Sequence, residues 1–141
     1  MRIQKHLAVL SLCFATLAAQ AADGPRGDYV KNLATGALTL VLDSSDGGGA
    51  SVSADGNKVA FQRFYSGYDS RVFVRDLRTG QEQLVSSSAA NQASNGTSTS
   101  KQISRDGSSV AFVSSASNLV SPVPPAGSFQ VYLKTLGSAG L

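Results

Sequence analysis

A chain of 141 residues with 12 Lys and Arg against 9 Asp and Glu carries a formal charge of +3. No basic cluster accompanies that charge, which removes the case for nucleic acid, where several phosphate contacts are needed. The single Cys13 and the single His6 both fall in the first 13 residues, so the rest of the chain can hold no disulfide, Cys/His zinc site, thiolate nucleophile or His-based triad.

In chain order, the first element is a three-part export signal over residues 1–21. Arg2 and Lys5 form a cationic start, Leu7 to Ala19 is an unbroken apolar or small-residue run, and Ala19-Gln20-Ala21 supplies a small-residue cleavage site. The run is shorter than the roughly 20 residues that a bilayer span requires, and no later stretch is long enough to anchor the chain. A buried N-terminal helix is the competing reading; it would show polar residues at helical spacing, and the run shows almost none. The expectation is a protein exported to the periplasm or the extracellular space. Cleavage leaves residues 22–141, with ten cationic side chains against nine acidic ones.

The remainder of the chain is built on a repeat. "DYVKNLATG" (28–36) matches "VFVRDLRTG" (72–80), 44 residues on, and "VYLKTLGSAG" (131–140) echoes it 59 residues later still. Between these copies, "SADGNKVAF" (53–61) is rewritten as "SRDGSSVAF" (104–112), 51 residues apart. Short β-branched and aromatic runs joined by Asp-Gly or Thr-Gly are strands joined by tight turns, since glycine tolerates positive φ and Asp bonds to nearby backbone N–H groups. The structural turns are Asp55-Gly56 and Asp106-Gly107 between the first two strands of a unit, with Thr35-Gly36 and Thr79-Gly80 between the last two. Nine strands and no helix are predicted. They form a leading half unit (28–42), a full four-stranded unit (50–86: 50–53, 58–62, 71–77, 82–86) and a unit lacking its last strand (101–136: 101–104, 109–114, 130–136). "VFV" shows no polar alternation and is expected to be covered on both faces, as in stacked sheets.

The unit Ser-x-Asp-Gly-x-x-Val-Ala-Phe, followed by an apolar strand, an acidic or amide residue, Leu and Thr-Gly, resembles the TolB-like, WD-type β-propeller repeat family over nearly all of residues 28–136. The resemblance implies an all-β fold of antiparallel four-stranded blades. A closed propeller needs at least four blades of about 40–45 residues, so about two and a half blades make an incomplete, open segment. Faces that must meet a neighbouring blade carry Val72, Phe73, Val110 and Phe112. Truncation of a longer propeller, assembly of several copies into a ring and capping by a partner are the three expected ways of covering open faces.

In an antiparallel meander the Asp-Gly and Thr-Gly turns share one end of the sheets and are minimal. The other end carries the divergent connections 43–49, 63–70, 87–100 and 115–128, and is expected to be the working face. Within it, "RFYSGYDS" places Arg63, Phe64, Tyr65, Tyr68, Asp69 and Arg71 together, residue types enriched at binding hot spots; the competing reading has Phe64 and Tyr65 covering the end of the core. Asp43 and Asp46 lack the alternating acids of a calcium loop, and no metal or cofactor is expected. "STSK" (98–101) has the Ser-x-x-Lys spacing, but that spacing serves catalysis on a helix and here runs from a loop into a strand. "NGT" (95–97) is a formal glycosylation acceptor.

These readings lead to an exported, non-catalytic scaffold that binds a protein or other ligand through its long-loop end, or associates with itself through open blade faces. The resemblance implies an envelope protein–protein role. Two alternatives stand: an accessory piece of a prolyl-oligopeptidase-like hydrolase, and a degraded reading frame without selected function.

Overall fold

The apolar runs and tight turns form nine strands among the described residues, which in this computed structural model are 27–43, 47–125 and 127–137. The export-signal reading at 1–21 and Asp46 lie outside the described residues, as do the side chains of Asp43 and Tyr68. The strands are β1 (Gly27–Lys31), β2 (Leu38–Asp43), β3 (Gly47–Val52), β4 (Lys58–Phe64), β5 (Ser70–Asp76), β6 (Glu82–Leu84), β7 (Ser98–Ile103), β8 (Ser109–Ser114) and β9 (Gln130–Thr135). They pair antiparallel into sheet 1 (β1-β2), sheet 2 (β3-β4-β5-β6) and sheet 3 (β7-β8-β9). One 3-10 turn, Ser66–Tyr68, interrupts the loop between β4 and β5. The fold is all-β: an open β-propeller segment of antiparallel sheets.

Alternation along "VAF" explains why the sheets stack. Val59 and Phe61 point to one face of sheet 2 and join Val41 and Leu42 of sheet 1 in a buried cluster, with Phe73 and Leu77 packed against it. Ala60 points to the other face, where it joins Val72, Val74 and Val85 with Ile103, Val110 and Phe112 of sheet 3. "VFV" is therefore covered on both sides, as expected: Val72 and Val74 are fully buried and Phe73 half-buried. Each large side chain buried this way contributes roughly 1.5–3 kcal/mol. Phe61 stacks on Phe73 with ring centroids 5.8 Å apart, and Phe112 repeats the contact with Tyr132 at 5.6 Å.

Polar ties cross between sheets 2 and 3. Ser70 Oγ donates to the Ser98 carbonyl (2.9 Å), Thr99 Oγ1 to Gln62 Oε1 (3.1 Å) and the Ile103 N–H to Ser51 Oγ (3.2 Å). Val72, Phe73, Val110 and Phe112 thus find their neighbours within the chain. The uncovered positions lie at the two ends of the stack. Sheet 1 exposes Tyr29, Leu38 and Leu40, and sheet 3 leaves Val131 76% and Leu133 73% exposed.

Several boundaries differ from the sequence expectation. Strand β3 starts at Gly47, inside a stretch expected to be loop, because Gly47 and Gly48 pair with Arg63 and Gln62 of β4. A Cβ at Gly47 would collide with the Gln62 carbonyl oxygen, so glycine is what permits that pairing. Strand β7 likewise starts at Ser98, with a bulge between Thr99 and Gln102 and Ser100 at φ +48°. Strand β6 is shorter than 82–86, because Val85 and Ser86 both turn their N–H groups to the Val72 carbonyl.

Candidate functional site

The two ends of the stack are built differently. At the turn end the chain solves one problem twice with the same atoms. Ser53 Oγ donates to Asp55 Oδ1 (2.6 Å), which accepts from the Asn57 N–H (3.0 Å), while Ser53 Oγ accepts from the Lys58 N–H (3.0 Å). In the next unit Ser104 Oγ donates to Asp106 Oδ1 (2.6 Å), which accepts from the Ser108 N–H (3.0 Å), and the Ser109 N–H donates to Ser104 Oγ (3.0 Å). Gly56 and Gly107 hold φ of +71° and +69°, which a side chain rarely adopts. The repeated Ser-x-Asp-Gly is a turn lock.

The serine hydroxyl, the backbone N–H two residues on and the Asn57 side chain lower Asp55 from 3.8 to about 2; the Ser104 hydroxyl, the Ser108 N–H and the Ser108 hydroxyl do the same for Asp106. Folded values below unfolded ones give stability that is complete above about pH 4 and lost as the pH falls toward 2. Thermal melts between pH 5 and pH 2 are expected to show this fall, and a D55N/D106N double variant to flatten it. A double variant with an unchanged acid limb would remove the two carboxylates as its cause.

The loop end gathers some of the expected residues. The Tyr65 N–H donates to the Asp69 carbonyl (2.8 Å), closing the loop around Gly67 at φ +77°. Arg71 pairs with Asp69 (Nη2 to Oδ2, 3.2 Å), and its guanidinium lies 4.9 Å from the centre of the Tyr65 ring. Its Nε is buried and has no hydrogen-bond partner among the described residues. Phe64 and Tyr65 are 50% and 42% exposed, so they leave the core end largely uncapped. Between this loop and the 94–97 segment runs a notch of about 290 Å³, lined by Gly67, Asp69, Arg71, Ser94, Asn95 and Gly96 among others.

Arg63 does not belong to the cluster. Two positions from Phe61 on β4, it points to the sheet 1 side, where its guanidinium lies over the Phe73 ring (4.7 Å) and meets Glu82 at 3.1 Å. The period of two along a strand puts it there.

The far wall of the notch was not foreseen. Asn95 accepts the Ser117 N–H at its Oδ1 (2.9 Å), donates its side-chain amide to Ser117 Oγ (2.9 Å) and gives its own N–H to Asn118 Oδ1 (3.0 Å). Asn118 returns a bond to the Ala93 carbonyl (2.8 Å). The Asn of "NGT" is thus spent on clamping two loops. Gly96 passes so close that an added Cβ would lie 2.9 Å from the Ala116 nitrogen. Gly96→Ala is expected to cost about 1–2 kcal/mol by overpacking, read by chemical denaturation, whereas Gly67→Ala meets no atom and strains only its φ. An unchanged stability for Gly96→Ala would contradict the close approach.

"STSK" does not form a nucleophile–base pair. Ser98 is buried, with its Oγ 2.9 Å from Ser114 Oγ and 3.2 Å from Ser94 Oγ, while Lys101 Nζ donates to the Gly48 carbonyl at 2.6 Å. Burial lowers the Lys101 pKa, against the opposing charge of Asp28.

No family model matches the sequence, and no curated protein matches it. Among solved structures, TolB from Acinetobacter baumannii is similar over 79% of this chain at 21% identity, with a TM-score of 0.50. The acylaminoacyl peptidase of Pyrococcus horikoshii, and an acylaminoacyl peptidase in complex with Z-Gly-Gly-Phe-chloromethyl ketone, each match 61% of the chain at 26% identity with a TM-score of 0.43. The chain spans 24% of TolB and 12% of each peptidase. The likeness to TolB, a β-propeller, supports the fold.

Proposed function

We propose that this chain is an exported, non-catalytic binding scaffold that holds a protein partner at the loop end of its sheets. The observation that carries this reading is the grouping of Tyr65, Asp69 and Arg71 beside the notch, where the Arg71 side chain stays 31% exposed. A partly exposed guanidinium held by one carboxylate and one aromatic face is a preformed anchor for a carbonyl or carboxylate on a partner. Half-exposed Phe64 and Tyr65 add apolar area next to it. The turn end offers no comparable variety, since its two Ser-x-Asp-Gly locks are copies of each other.

A photo-crosslinking residue placed at Tyr65 in the secreted chain is expected to trap a discrete partner in the native cell envelope. The same residue at Arg105, on the turn end, is expected to trap none. Arg71→Glu should abolish the Tyr65 adduct while the melting temperature moves little. An adduct formed equally from both ends, or one indifferent to Arg71→Glu, would contradict a loop-end site.

A further inference from the structure

We propose that the loop-end notch takes the side-chain carboxamide of an Asn or Gln on the partner protein, read by Asp69 and Arg71 together. This inference rests on the loop-end reading above and narrows its anchor from a carbonyl or carboxylate to a neutral amide.

The ion pair is tied at one corner. Arg71 Nη2 donates to Asp69 Oδ2 at 3.2 Å, and among the described residues neither Asp69 Oδ1 nor Arg71 Nη1 makes a hydrogen bond. The two side chains stay 33% and 31% exposed. The Tyr65 ring covers one face of the guanidinium, 4.9 Å away, so a ligand meets its N–H edge. What the pair offers is one acceptor and a set of donors side by side. Asp69 and Arg71 are the only charged side chains among the described residues that line the notch of about 290 Å³, so it is neutral as a whole. Its far wall is polar and already committed. Ser94 is 3% exposed with its Oγ 3.2 Å from Ser98 Oγ, and the Asn95 amide is bonded to Ser117.

Such a pair sorts ligands by charge and by geometry. A carboxylate accepting from Arg71 would sit beside the Asp69 carboxylate, and an ammonium donating to Asp69 would sit beside Arg71. Each attraction is then offset by a like-charge repulsion of similar size. A neutral amide meets no such opposition, and both of its hydrogen bonds are to charged groups, the stronger kind. A trans main-chain peptide points its C=O and N–H in opposite directions, so it reaches one member of the pair at a time. A primary amide carries its C=O and one N–H on the same edge and reaches both. An aliphatic side chain would cover the acceptor and donors without pairing them, at a cost.

Titration of N-acetyl-glutamine N-methylamide into the ¹⁵N-labelled secreted chain tests this. The glutamate analogue and the alanine analogue, which has main-chain amides alone, are the controls. Saturable shifts are expected at the Gly67 and Gly96 N–H groups, with both analogues bound about tenfold more weakly, the scale of one lost hydrogen bond to a charged group. Asp69→Asn leaves a net cation and should turn the preference to the glutamate probe, a reversal that a purely structural role for Asp69 would not give. Equal binding of the three probes, a glutamate preference in the unaltered chain, no reversal in Asp69→Asn, or no saturable shift at the solubility limit of the probe with the loop folded would each overturn the proposal. The loop-end reading is tested apart from it: a partner trapped from Tyr65 through a segment without Asn or Gln would sink the amide assignment and leave that reading standing.

Discussion

Phe61→Ala and Phe112→Ala are each expected to cost about 3–5 kcal/mol, the scale of a phenylalanine deleted from a packed core. Both rings are buried, at 0% and 2% exposure, and each sits in the layer between two sheets. The two losses should nevertheless differ in reach. Stacked repeats contact only their neighbours, so damage stays near the layer that is cut. Phe61 joins sheet 2 to the two-stranded sheet 1, and its loss should release amide protection in β1 and β2 while β7 to β9 stay protected. Phe112 sits in the larger cluster between sheets 2 and 3, and its loss should expose both. Hydrogen exchange read strand by strand separates the cases; equal loss of protection in all nine strands from either variant would contradict layer-by-layer packing.

Asp76→Ala is the second large effect, at about 1–3 kcal/mol, because it removes a fully buried acceptor from the turn N–H groups of Arg78 and Thr79. The Asp76 carboxylate is fully buried. Its Oδ1 accepts the N–H groups of Arg78 (2.8 Å) and Thr79 (3.2 Å), and its Oδ2 faces Arg78 Nη2 at 3.3 Å. Burial pushes its pKa up, but the Arg78 side chain and the two N–H groups outweigh it and hold the group below the usual carboxylate value. Asp76→Asn should cost much less. Asn32, 44 residues earlier, makes the same turn with an amide oxygen, accepting from the Ala34 and Thr35 N–H groups at 2.9 and 3.1 Å. Denaturant titrations of both variants check this; an alanine variant as stable as the asparagine one would show that the turn does not depend on the acceptor.

Much of this architecture was legible because it is written more than once. Aligning "SADGNKVAF" with "SRDGSSVAF" located the turn locks, and the unbroken apolar run "VFV" announced a strand covered on both faces. The correction at Arg63 was not legible in alternation, because Arg63 and Arg71 are opposite each other in the β4–β5 register; their guanidinium groups part only in their partners, Phe73 and Glu82 for Arg63, Asp69 and Tyr65 for Arg71. What escaped was information held between segments. Gly47 and Gly48 read as loop because glycine is rare in strands; their pairing with Arg63 and Gln62 makes them strand, and at Gly47 the β4 backbone comes too close for a Cβ. The bond between Asn95 and Asn118 joins loops 23 residues apart, and no local spacing announces it. At the candidate site the sequence showed Tyr65, Asp69 and Arg71 as neighbours on one loop, but not the wall that the next unit builds opposite them.

The central claim is that successive sheets lie face to face through the two "VAF" phenylalanines. Aromatic-to-methyl nuclear Overhauser contacts in the secreted chain measure this directly. The structure predicts cross-peaks from Phe112 to the valines of sheet 2 and from Phe61 to Val41 and Leu42. Rings that see only residues of their own sheet would contradict it.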